Sequence, residues 1–339
     1  MTVNPAMDQA NSASTLALGS HQNLMQRSWI LAIAAAAWLG VALLTALWAD
    51  LSGTNWDYTG DLATVCAALA GVLAAAMFAD LRFAHLRYAQ ALGPWMLVLA
   101  LLVGAWEAVT AKLGLLPLPF FPPPQALLEV VIDDRVRLAE GVFASLRLLA
   151  GGYFLGAALG FVTGLAMGWS RAVGYWIHPV LRLIGPLPAT AWLPLAFFVF
   201  PSSHSASTFL IALATGFPVT VLTWSGVASV SSTYYDIART LGANQTFLIL
   251  KVTIPASMPH VFVGLFMGLG NSFAVLVIAE MLGVKAGLGW YLQWAQGWAA
   301  YANMYAALLI MALIFSGLIT LLFRLRDRLL AWQKGLVRW

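Results

Sequence analysis

Tyr234, Asp236, Ile237, Ala238, Arg239, Leu241 and Gly242 lie in one polar stretch, Tyr234-Tyr235-Asp236-Ile237-Ala238-Arg239-Thr240-Leu241-Gly242. It separates two long apolar runs and continues to Val252-Thr253-Ile254-Pro255. The chemistry these residue types offer is docking, not bond breaking. Thr233 precedes Asp236 by three residues, the spacing of a capping box, and the carboxylate falls where a helix N-terminus favours negative charge. A short helix is expected to start there, carrying Tyr234, Ile237, Ala238 and Leu241 on one face as an apolar stripe. Gly242 suits a C-terminal cap, Asn244 a second helix start, and Pro255 its stop. Segment 231–259 is therefore expected to form a knob of two small helices.

Other reactive types are scarce. His178, His204 and His260 fall at the ends of apolar runs or in loops, none paired with a second ligand at metal spacing, so no metal is expected. The single cysteine, Cys66, excludes an intramolecular disulfide and reads as a packing residue. Paired acids or a His cluster, which intramembrane catalysis would require, are not evident. A Walker A sequence is also missing, so no cofactor is expected and ATP would have to be bound by another chain. The expectation is a protein that is not an enzyme.

The elements that must position these residues are membrane spans. Hydrophobic residues make up 61% of the 339-residue chain and charged residues 9%, against roughly a quarter charged in soluble domains. Most of the chain must therefore sit in lipid or in protein surrounded by lipid. A net charge of +4 spread over many loops carries no nucleic-acid footprint. Eight apolar runs approach or reach the ~20 residues that cross a bilayer: 29–48, 62–79, 94–109, 146–167, 179–200, 207–227, 261–282 and 304–323. Residues 1–27 lack an apolar period and are expected to form a loose tail, not a signal peptide.

With the N-terminus inside, Arg82, Arg87, Arg171, Arg239, Lys251 and the run Arg324, Arg326, Arg328, Lys334 and Arg338 all face the cytoplasm. The outer face receives Asp50, Asp57, Asp61, Glu129, Asp133, Asp134 and Glu140, so both termini are expected to be cytoplasmic. The proline-rich stretch 116–124 marks an outer linker, and 125–140 is expected to be a short amphipathic surface helix.

Several residues inside the spans could line a pathway. Pro186, Pro188 and Pro194 must bend or unwind the fifth run, either as a pathway-lining break or as a plain kink. Thr215, Asn271 and Ser272 lie mid-span, facing a cavity or another helix. Glu280 and Glu107 are expected near outer span ends as interfacial carboxylates, with a substrate contact as the alternative for each. Arg147, entering the fourth run from outside, is expected to snorkel, with attraction of an anion as the alternative. Gly152, Gly156, Gly160, Gly164 and Gly168 form an every-fourth-residue face, expected to pack on a neighbouring span of the same subunit, with a dimer seam as the alternative.

The polar stretch resembles the coupling loop of ABC importer permeases, written loosely as E-A-A-x(3)-G-x(9)-I-x-L-P. Asp236 stands for the acid, Ile237 and Ala238 for the alanines, Gly242 for the glycine, and Val252, Ile254 and Pro255 for the closing residues; Ile237 departs from the pattern. Further matches look like the nitrate, sulfonate, taurine and bicarbonate permease family. They are residues 121–124, Ser145-Leu146-Arg147, Pro186-Leu187-Pro188, Trp192-Leu193-Pro194, Ala279-Glu280-Met281-Leu282-Gly283 and Gly287-Leu288-Gly289.

The resemblance implies an all-α polytopic membrane protein of the bacterial inner (plasma) membrane. Its type I importer (MetI-like) six-helix core would be residues 92–339, preceded by an extension with two transmembrane helices, 28–91. It also implies the partners: a second copy, two cytosolic ATPase subunits gripping the 231–259 loop, and a periplasmic solute-binding protein. The cargo it implies is a small anion such as nitrate, a sulfonate, taurine or bicarbonate. An aromatic or heterocyclic cargo, or an ion-coupled secondary transporter, is the alternative.

Overall fold

The computed structural model describes residues 29–51, 56–78 and 84–333, and all its regular elements are helical. The expected tail 1–27, and Arg82, Lys334 and Arg338 of the cationic face, lie outside the described residues, as does the side chain of Arg87. The chain divides into two compact units, residues 1–133 and 134–339. Seven described helices are long and apolar enough to cross a membrane, and one sharply bent pair makes eight if counted as a single span. That agrees with the eight apolar runs.

The first unit contains α1 (Trp29–Leu47), α2 (Thr59–Phe78), α3 (Ala84–Glu107) and α4 (Pro124–Asp133). Its core is built from small residues that bring helices close, Ala34, Cys66, Ala70 and Ala100, around Leu31, Trp38 and Leu73. The Trp38 indole donates to Met96 O at 3.0 Å. Beyond α3 the chain continues through a wide π turn, Ala108–Lys112, that carries Lys112 inward.

Glu107 is not an interfacial carboxylate. It is fully buried, with Oε2 accepting from the Thr45 hydroxyl at 2.7 Å, Oε1 accepting from Gln125 Nε2 at 3.2 Å, and Lys112 Nζ 3.6 Å away. Lys112 also pairs with Asp50 at 2.7 Å and donates to Trp48 O. The reason is electrostatic: a cation one π turn along neutralises an acid that would otherwise have to reach water.

In the second unit α5 (Arg135–Trp169), α8 (Ser203–Ala228) and α10 (Gln245–Leu282) form the centre. Around them lie α6 (Arg171–Ile184), α7 (Leu193–Val199), α9 (Ser232–Thr240), α11 (Leu288–Gly297) and α12 (Tyr301–Leu329). The core joins Leu148 and Leu149 of α5 to Leu210 and Ile211 of α8 and to Leu269, Leu276 and Ala279 of α10. The glycine face of α5 packs on α8 of the same chain. A methyl group at Gly160 would fall 2.7 Å from Gly216 O, and one at Gly164 would fall 2.7 Å from Thr223 Cβ, so only hydrogen fits there.

Two expectations fail locally. The amphipathic helix expected over 125–140 is split at Asp134: its first half is α4, and its second half is the opening of the long α5. Pro255 does not stop a helix, because α10 runs from Gln245 through a π turn, Leu248–Thr253, and on across the apolar run. Pro255 sits in the first turn after the π segment, where a missing N–H costs little.

Candidate functional site

The loop between α8 and α10 carries the residues singled out first. Ser231 caps α9 by accepting the Thr233 N–H at 3.3 Å, so the cap lies two residues earlier than expected. Asp236, released from capping, lies 3.8 Å from Arg239 as a solvated pair. At its other end α9 closes as expected. Gly242 takes a left-handed conformation, φ +83°, its N–H bonds Arg239 O at 2.9 Å, and the Ala243 N–H bonds Ala238 O at 3.0 Å. This is a Schellman cap, and a side chain at Gly242 would be strained by φ alone. Asn244 then caps α10, its Oδ1 accepting from Phe247 N at 2.8 Å.

The stripe on α9 divides into an inner and an outer face. Ala238 is buried, contrary to the expectation that it joins the exposed stripe, because the helix rests on that side. Tyr234, Ile237 and Leu241 are 60%, 54% and 83% exposed. Holding α9 from beneath is Tyr235, which the apolar spacing did not single out. Its hydroxyl meets the Thr253 hydroxyl at 3.1 Å, and its ring packs edge-on against Trp169, 6.1 Å between centroids. The helix is therefore anchored on one side and presents an apolar patch on the other, the surface pattern of a docking face.

The candidate pathway residues are not gathered in one place. Between α6 and α7 the chain turns by 85° through Pro186 and Pro188, so the fifth apolar run is broken, as the prolines require. Pro194 opens α7 and does not kink it. Pro188 and Asn271 line a cavity of about 380 Å³ together with Thr190, Phe217 and Pro218, and no charged residue is among its described lining. Pro186 is exposed at the break but does not line that cavity. Thr215 and Ser272 are fully buried and bond back to their own helices, at Ile211 O (2.9 Å) and Leu269 O (3.0 Å). A second cavity, about 610 Å³, lies among α5, α6 and α8 and contains Thr163, His204 and Thr208.

Glu280 is also not interfacial, being only 1% exposed. The chain after α10 folds back over it: Oε2 accepts the Gly289 N–H at 2.8 Å, and Ser145 Oγ accepts the Leu288 N–H at 2.9 Å. Gly287, at φ +102°, and Gly289 leave the room that the carboxylate fills. Sequence alone places Glu280 at a span end and marks Gly287-Leu288-Gly289 as a family match, but holds no sign that the two segments meet. In the same short helix, Tyr291 donates to Asp134 Oδ2 at 2.6 Å and accepts from Asn303 Nδ2 at 2.6 Å. Burial, then this bond to Asp134, raises the Tyr291 phenol above its ordinary pKa.

Residues 156–334 match the model of the family described as binding-protein-dependent transport system inner membrane component. A Brucella abortus (strain 2308) protein named as a probable ABC transporter permease is 33% identical over 245 residues, 72% of this chain and 96% of that protein. The nitrate import permease protein of Synechococcus elongatus is 28% identical over 256 residues, 72% of this chain and 89% of its own. The bicarbonate transport system permease protein of the same organism is 33% identical over 215 residues, 61% of this chain and 72% of its own.

Proposed function

The chain belongs to the family of binding-protein-dependent transport system inner membrane components, and we propose that it is the permease of an ATP-driven importer, moving a small solute from periplasm to cytoplasm. The observation that carries this reading is the anchored α9 with Tyr234, Ile237 and Leu241 turned outward. α9 lies outside the candidate spans, where lipid tails would not cover such a patch and a protein partner would. On this reading Asp236 and Arg239 flank the contact, and Gly242 and Pro255 shape the loop that presents it. Each of two copies would engage one cytosolic ATPase subunit, and closure of the ATPases would pull the α9 helices together and rock the bundles between inward-open and outward-open states. ATP would be hydrolysed by those subunits, so this chain itself would hold no cofactor. A periplasmic solute-binding protein would deliver the cargo.

Cytoplasmic termini are supported by the placement of Arg171, Arg239, Lys251, Arg324, Arg326 and Arg328 on one side of the spans. The two extra N-terminal spans, 28–91, would precede a six-span core, 92–339. For the pathway, Pro188 and Asn271 are the candidates favoured by the 380 Å³ cavity. The named relatives carry nitrate and bicarbonate, which supports a small anion as cargo. The uncharged lining of that cavity favours a second reading, an organic solute with an apolar part, because a bare anion finds no counter-charge there. Uptake into liposomes holding the permease, its ATPase subunits and the binding protein tests the function. Uptake should stop without ATP, and uptake with no ATPase present would instead establish an ion-coupled carrier.

A further inference from the structure

On the underside of α9, beside the buried Ala238, one side chain reaches two spans. Tyr235 places its ring edge on Trp169, the last residue of α5, and its hydroxyl on Thr253, the last residue of the π turn in α10. Thr253 is fully buried, and its own hydroxyl donates to Leu248 O at 3.0 Å. A hydroxyl has one hydrogen, so with that one committed the Tyr235 O–H is the donor in the pair.

The π turn is the natural joint of α10. Its closing bond runs from Ile254 N–H to Ile249 O, five residues back, and the next position, Pro255, has no N–H to continue the ladder. Kinks in long helices arise at such places. We infer that Tyr235 is a positioning residue that carries movement of α9 into α10 by holding Thr253, with the π turn as the hinge. This rests on the reading of α9 as the ATPase-docking helix. Docking and transmission are then separate: Tyr234, Ile237 and Leu241 face the partner, whereas Tyr235 faces the bundle.

The experiment is amide hydrogen exchange across residues 248–254 of the full-length permease in nanodiscs, alone and with its ATPase subunits, with and without Mg-ATP. Tyr235→Phe keeps the ring against Trp169 and removes only the hydroxyl. In the permease alone it should speed exchange at the π turn about fivefold, the weight of one neutral hydrogen bond. In the complex, the ATPase subunits should still co-purify, but the ATP-dependent change in exchange at 248–254 should disappear. Thr253→Val should abolish the ATP-dependent change as well, with faster basal exchange than Tyr235→Phe because it also loses the bond to Leu248 O; Thr253→Ser should keep the wild-type pattern, and adding Tyr235→Phe to Thr253→Val should change nothing further. Unchanged exchange in the Tyr235→Phe permease alone, or an ATP response that survives it, would overturn the inference. Failure of the wild-type permease to bind the ATPase would refute the docking reading instead, while the permease-alone measurement would still decide whether Tyr235 holds the hinge.

Discussion

Gly289 donates its backbone N–H to Glu280 Oε2 at 2.8 Å, and a methyl group at Gly289 would lie 3.0 Å from that oxygen and 2.6 Å from Val277 O. Acid and glycine are fitted to each other, and Ser145 secures the same turn through Leu288 N. Glu280→Ala leaves a buried N–H without an acceptor and should cost about 1–3 kcal/mol. Glu280→Gln keeps an acceptor for Gly289 and should cost less. Thermal unfolding in detergent checks the ranking, and equal losses would mean that the bond does not hold the turn.

Lys112 is the cation of a buried group with Glu107 and Asp50. Lys112→Met strands two acids and should destabilise the first unit by about 3–5 kcal/mol. Replacing Glu107 and Asp50 by Leu and Asn in the same chain should recover most of the loss, because the penalty comes from unpaired buried charge. Unfolding midpoints of the single and triple variants supply the comparison.

Two glycines of α5 should behave oppositely. A methyl group at Gly151 meets nothing within 4 Å, and helix propensity alone predicts that Gly151→Ala stabilises by up to about 1 kcal/mol. At Gly160 the same change would meet Gly216 O and Val219, so α5 and α8 must separate. Gly160→Ala should lower the unfolding midpoint, and a rise in both variants would refute the close packing.

Glu129 offers a test by pH. Burial first, then the charges of Asp57 and Asp133, raises its carboxyl above the ordinary value. For a group whose folded pKa is raised, the stabilising contribution is fully present below the unfolded pKa and is lost as pH rises through the folded one. The fall in stability from mildly acidic to neutral pH should therefore be smaller in Glu129→Gln than in the parent. An identical profile would show that Glu129 does not titrate in that window.

Features governed by local rules were legible in the sequence. The break at Pro186 and Pro188, the Schellman cap at Gly242, the Asn244 cap and the glycine face of α5 all follow from φ restrictions, missing donors or missing Cβ atoms. What escaped depends on partners distant in the chain or on helix wideners with no composition signal. Asp50 and Lys112 meet across 62 residues, and the π turns that bring Lys112 and Thr253 inward leave no mark in hydrophobic period. The stripe on α9 shows the boundary between the two: Tyr234, Ile237 and Leu241 were readable from a 3.6-residue period, whereas the role of Tyr235 required Thr253 and Trp169 to be placed beside it.

The outward face of α9 is the proposed docking surface for the ATPase subunits. Ile237 and Leu241 are the residues to change, being exposed and outside the Tyr235 anchor. Co-purification of the ATPase subunits with permease carrying Ile237→Asp and Leu241→Asp, run beside a thermal unfolding scan, measures it most directly. Association should fall by roughly tenfold or more while the unfolding midpoint stays near that of the parent. Undiminished association in a folded double variant would contradict the assignment.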